Sequence, residues 1–294
     1  MSGDENNGRL EQEVAHFLAT GECDPLGGAF PGAHALERIT GYERHLRMAL
    51  LTEVRQRERG RRQDRIPQDF DAVAWTRRKV QPMIDGLFQP AERSAILEVA
   101  ARSIVFLTRD AAHRAIRENG YLESAWKLAN IYLHSLGAPV LGGEQNAILG
   151  MSEETTCYVS TDYFVDQDPY ADYVVREVAH IFHNCKRQTL ELPHSQSREW
   201  LLDIAYAKRE TFAYACELYS RILEQGRDRA TRSALLARYA ESPKCPDGRV
   251  DVDELNDVLK EAVAARNGWK RILARCSNPP RANARRQNMT KPTC

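Results

Sequence analysis

Apolar residues return at intervals of three and four through most of this chain, a pattern that commits it to packed helices and leaves little material for a sheet. Ile39, Tyr42, Leu46 and Leu50 recur in this way, as do Ile96, Val99, Ala100 and Ile104. One segment departs from the pattern. Thr155-Thr156-Cys157-Tyr158-Val159-Ser160-Thr161 is short and rich in β-branched residues, and it reads as a strand. The expected fold is mainly α, of the α+β kind: a helical N-terminal region followed by a small core of strand and helices.

Punctuation divides the chain further. Pro90, Asn119-Gly120 and Gly137 separate the N-terminal helices, and the texture changes after Gly142-Gly143. Asp168-Pro169 supplies an N-cap followed by proline at the first helical position, so a helix is expected from there through Cys185. A second long helix is expected from about Ser197 to a stop at Gly226. Two more follow, the last long one opened by the capping box Asp251-Val252-Asp253-Glu254. The expected division is a flexible segment at 1–30, a helical region at 31–140, a core domain at 141–275 and a disordered basic tail at 276–294.

The chain has 294 residues, enough to bury a core without disulfide staples. Its 41 Lys+Arg balance 41 Asp+Glu, so no global field recruits nucleic acid or an anionic membrane. The densest positive stretch, Arg55 to Arg65, is interspersed with acids and lacks aromatic residues, which favours a solvated helix end over a phosphate site. A helical nucleic-acid-binding regulator built on that stretch is a subsidiary alternative. Seven cysteines without tight spacing form neither a C-x-x-C pair nor a disulfide framework. The start of the chain is polar and acidic, and no apolar run approaches the ~20 residues needed to cross a bilayer. A soluble protein of the cytoplasm with no membrane partner is the expectation.

The chemically legible stretch is Arg176-Glu177-Val178-Ala179-His180-Ile181-Phe182-His183. Val174, Val178 and Ile181 make an apolar stripe, while Glu177, His180 and His183 follow at spacing three along an adjacent edge. Carboxylate and neutral imidazole are ordinary ligands of zinc or iron. About thirty residues past His180, the next expected helix carries Glu210 within Arg209-Glu210-Thr211-Phe212-Ala213-Tyr214.

A strand, a motif helix and a second helix bearing a glutamate resemble the core of the gluzincin metallopeptidases, especially the compact intracellular type of phages and mobile elements. The resemblance covers roughly residues 145 to 225. It implies Glu177 as general base, His180 and Glu210 as zinc ligands, and Tyr158-Val159-Ser160 as the edge strand that receives a protein or peptide substrate. Tyr214 and His194 are candidate proton donors. The sequence departs from H-E-x-x-H at its first position, where Arg176 has no lone pair to offer a metal.

Three readings of that departure stand. In the leading one, His183 replaces the missing ligand and keeps a zinc peptidase alive, in which Glu177 deprotonates a metal-polarised water that attacks a peptide carbonyl of a protein partner. Arg176 can pair with Glu177 or Glu210 and leave an inactive zincin scaffold that binds a partner. Or His180 and His183 are hydrogen-bonded core residues and the resemblance is accidental. Cys157 and Cys185 flank the motif as buried free thiols, and Glu217 and Glu224 repeat Glu210 at spacing seven, as a solvated helix face would.

Overall fold

The computed structural model describes residues 3–28, 30–31, 34–61, 65–143, 149–195, 198–243 and 247–278. In chain order these form α1 (Gly3–Thr20), α2 (Ala35–Arg57), α3 (Ala72–Leu87), α4 (Pro90–Arg102), β1 (Ile104–Phe106), α5 (Arg109–Glu118) and α6 (Leu122–Ser135). There follow β2 (Gly150–Glu153), β3 (Thr156–Val159), α7 (Tyr173–Asn184), α8 (Arg209–Gln225), α9 (Arg229–Glu241), α10 (Val252–Ala264) and α11 (Gly268–Cys276). The fold is mainly α with a small mixed sheet. Among the described residues no helix is long and apolar enough to cross a membrane.

The two apolar cores do not follow the expected boundary at residue 140. One core joins α1, α2, α5 and α6 through Phe17, Leu46, Leu50, Trp126 and Tyr132. The other draws α3, α4 and β1 from the N-terminal half against α7, α8, α10 and α11. Chain order and packing thus interleave, and α3 to β1 belong physically with residues 150–276. Each fully buried Leu, Ile or Phe here contributes about 1.5–3 kcal/mol, so neither core is a minor annex.

Several local expectations are corrected. The segment 1–30 is not simply flexible: α1 fills most of it and buries Phe17 completely. Ile104 does not end a helix but opens β1, since Ser103-Ile104-Val105-Phe106 lies parallel to β3. Asp168 closes a local turn by accepting from Tyr170 N, and it is Asp172 that caps α7 by accepting from Val175 N. The helix expected from about Ser197 begins at Arg209, and Ser197 itself lies outside the described residues. The chain before it runs extended along the end of α7, with Leu201 N donating to Cys185 O and Leu202 N to Phe182 O. That exchange buries Leu201, Leu202 and Ile204. Asp251 caps α10 as expected, accepting from Asp253 N and Glu254 N. Residues 279–294 of the expected tail lie outside the described residues.

In α3, Gly86 lets α11 approach: any Cβ at that position would strike the indole of Trp269, so a residue that weakens the helix is required by packing. Three arginines of the basic stretch at the end of α2 are engaged in the fold, while Arg55 and Arg59 are exposed. Arg57 donates to the carbonyls of Pro139 and Val140, Arg61 to that of Gly137, and Arg65 pairs with Asp162. Residues 62–64 of that stretch lie outside the described residues.

Strand order in the sheet is β1-β3-β2, with β3 parallel to β1 and antiparallel to β2. β3 is therefore central. The expectation that Tyr158, Val159 and Ser160 form a substrate-receiving edge is corrected, because both sides of β3 are already hydrogen-bonded. Val159 O accepts from Leu107 N on one side, and Ser160 N donates to Leu149 O on the other. The edge is β2. Bonding alternates along an antiparallel pair, so Met151 and Glu153 turn their backbone groups to β3, while Gly150 and Ser152 turn theirs outward.

Candidate functional site

A cleft of about 1550 Å³ opens between the β2 edge, α7, the start of α8 and the turn at 247–249. The structure brings Arg176, Glu177, His180, His183 and Glu210 together in its wall. α7 places the first four on one edge because they recur at helical spacing, while its opposite stripe of Val174, Val178 and Ile181 is fully buried. α8 packs against α7 and presents Glu210, Tyr214 and Glu217 one turn apart. His194 is exposed and lies elsewhere.

Arg176 is the centre of the deep end. Its Nε lies 3.4 Å from Glu177 Oε1 and its Nη1 lies 3.5 Å from Glu217 Oε2. The guanidinium is stacked between the rings of Tyr173 and Tyr214, at 5.2 and 5.1 Å from their centroids. Tyr214 therefore supports a cation. Glu217, expected on a solvated face, is 3% exposed and also accepts from Asp172 N at 2.6 Å. Spacing alone could not show this, since Glu217 and Glu224 share a period but Glu224 remains at the rim with Lys79.

Burial raises Glu177 to about 7 against the pull of Arg176, which favours the carboxylate. Glu217 and Glu210 are likewise raised, burial being the largest cause in each. Gly150 makes room for this arrangement, because a Cβ there would sit 2.7 Å from Glu177 Oε1. Cys157 lies buried beneath the carboxylate and stays a thiol.

The histidines form a chain. His180 Nδ1 is 3.1 Å from His183 Nε2, and His180 Nε2 is 3.5 Å from Glu210 Oε2. His183 Nδ1 meets Asn184 Oδ1 at 3.1 Å. Burial pushes His180 down to about 3, with His183 and Arg176 adding to the effect. Burial and then Arg209 push His183 down to about 4. Both rings are neutral near pH 7. Glu210 is further engaged by Arg249 at 3.1 Å, and Arg249 is held in turn by both oxygens of Asp247. Arg249 lies in an exposed turn 39 positions beyond Glu210 and has no motif to mark it.

Zinc asks for donor atoms that converge on one point about 2 Å from each. The residues present do not fit it. His180 turns one ring nitrogen to His183 and the other to Glu210, and the in-plane directions at those nitrogens diverge, so a single ion cannot join all three. Arg176 is a fixed cation beside Glu177, and Arg249 occupies Glu210. Among the described residues no group of three or more His, Cys, Asp or Glu side chains is disposed to hold a metal ion.

Compared with protein-family models, with curated proteins and with solved structures, the chain matches none.

Proposed function

We propose that this cleft binds a polypeptide segment of a protein partner, on a zincin-like scaffold in which a buried arginine has replaced the metal, making it a binding or regulatory module. The observation that carries the reading is Arg176, stacked between two tyrosines and shared by two buried carboxylates at the position where the first zinc ligand would stand. In a site so arranged the guanidinium offsets one of the two carboxylate charges without an ion. Beside it, β2 offers the outward backbone groups of Gly150 and Ser152, the geometry by which an extended segment adds a strand to a sheet. Cys157, Cys185, Cys216 and Cys276 are buried and unpaired, which suits the reducing cytoplasm.

Ser152→Pro tests the reading, since proline removes an outward N–H from an edge strand and leaves the β2–β3 bonds in place. Labelled extended peptides titrated against the full chain and followed by fluorescence anisotropy are expected to bind the wild type and to lose about tenfold in affinity on Ser152→Pro, the effect of one backbone hydrogen bond plus a local clash. Unchanged affinity in a folded Ser152→Pro protein would contradict strand addition at this edge.

A further inference from the structure

The charges in the cleft are unevenly satisfied. Its carboxylates are all engaged: Glu177 and Glu217 by Arg176, Glu210 and Asp247 by Arg249, and Asp168 by the backbone N–H of Tyr170. Of the five cations in its wall, Arg176 and Arg249 are thereby paired, and Lys127 pairs with Glu123. Arg209 and Arg238 have no carboxylate within ion-pair reach among the described residues. Arg238 is exposed on α9.

Arg209 is the more telling of the two. Its Nε is shut off from solvent and donates to no acceptor, so a ligand meets the guanidinium only at its Nη edge. The guanidinium stacks 5.3 Å from the ring centroid of Tyr206, which is itself 85% exposed at the mouth of the cleft. It also faces His183 closely enough to disfavour protonation of that ring. A planar cation held against an aromatic ring and without a carboxylate partner offers its Nη edge as a fork for a carboxylate.

Resting on the polypeptide-binding reading, we infer that the cleft selects acidic segments, with Arg209 as the specificity-determining residue that receives an aspartate or glutamate side chain against Tyr206. A basic segment would find no free carboxylate. A nucleic acid would present a charge at every nucleotide to only two unpaired cations, too few for tight phosphate tracking.

The test uses the full chain and fluorescence anisotropy with four labelled probes. Three are dodecapeptides of repeating Val-Thr-Glu, Val-Thr-Gln and Val-Thr-Lys, and the fourth is a twenty-nucleotide oligothymidine. The Glu peptide is expected to bind at least tenfold more tightly than the Lys peptide. Arg209→Gln is expected to weaken the Glu peptide about tenfold, to the level of the Gln peptide, and to leave the Gln peptide unchanged. Arg271→Gln, on the exposed face of α11, leaves every affinity unchanged. Tyr206→Ser, whose side chain is almost fully exposed, must weaken the Glu peptide in the same sense should Arg209→Gln fail to fold. Equal affinity for the three peptides, tightest binding to oligothymidine, or a folded Arg209→Gln protein that still prefers the Glu peptide overturns the acidic selectivity. Binding of all three peptides without charge preference would overturn only that selectivity, whereas binding of none would overturn the polypeptide-binding reading itself.

Discussion

Replacing Arg176 by methionine keeps an unbranched apolar stem between Tyr173 and Tyr214 but removes the only cation within ion-pair reach of Glu177 and Glu217 among the described residues. Both carboxylates are 3% exposed, so neither can turn to water. With the arginine in place burial already holds Glu177 at about 7, against an ordinary value of 4.5, so ionising it in the folded chain costs roughly 3 kcal/mol. Breaking a buried pair by deleting one partner typically costs about 3–5 kcal/mol. Arg176→Met is therefore expected to lose about that much stability at pH 8. The sign with pH follows from the raised carboxylates. Their stabilising protonated forms are complete below 4.5 and are lost as pH rises through the folded value, so the deficit shrinks toward pH 5. Arg176→Met/Glu177→Gln/Glu217→Gln removes all three charges and is expected to return to within about 1–2 kcal/mol of the wild type. Urea unfolding followed by tryptophan fluorescence at pH 8 and pH 5 measures all of this. A deficit under about 1 kcal/mol at pH 8, or one equal at both pH values, would refute the account of Arg176 as the charge partner of a buried pair.

Two further perturbations address the same site. His180 at about 3 and His183 at about 4 are depressed by burial, so the stability they contribute is full above their unfolded value of 6.5 and is lost as pH falls toward 4. Glu177, Glu210 and Glu217, raised by burial, oppose this as pH falls, so the contribution of the rings is read from the wild type relative to His180→Gln/His183→Gln. That difference in unfolding free energy should fall from pH 6.5 to 4.5; an unaltered difference would show that the rings do not titrate as described. Gly150→Ala places a methyl group on the Glu177 carboxylate and is expected to cost about 1–3 kcal/mol, whereas Gly120→Ala, whose Cβ meets nothing, should stay within about 0.5 kcal/mol. Equal melting temperatures for the two alanine variants would contradict the close approach of β2 to α7.

Residues whose role is written in local spacing were the legible ones. The edge of α7 bearing Arg176, Glu177, His180 and His183 follows from helical periodicity, and Asp251 announces α10 as its N-cap, while Glu254 pairs with Lys208 rather than closing a capping box. What sequence could not convey was decided at a distance. Asp168 and Asp172 are both competent caps, and the second prevails where its other carboxylate oxygen meets Lys79 from α3. β1 is three residues long and exists only because β3 runs beside it, so Ile104 fits a helical period equally well. β3 carries the strongest strand signature because it is central and half of its side chains are buried. β2, Gly150-Met151-Ser152-Glu153, is weak in strand formers, as exposed edges can be, so its composition does not mark it as the edge. Spacing assigns Glu217 to a solvated face and leaves Arg249 unmarked, because burial of the one and engagement of the other depend on how α8 packs on α7 and on the 247–249 turn.

The central claim is that Arg176 stands in place of a metal ion. Isothermal titration of zinc into the chelator-treated full chain, beside Arg176→His, tests it most directly. The account predicts no stoichiometric binding by the wild type and one zinc bound by Arg176→His, because a neutral imidazole at 176 supplies a lone pair one turn from His180 and removes the guanidinium beside Glu177, after which zinc has only Arg249 to displace from Glu210. One zinc bound by the wild type and lost on His180→Ala would contradict it.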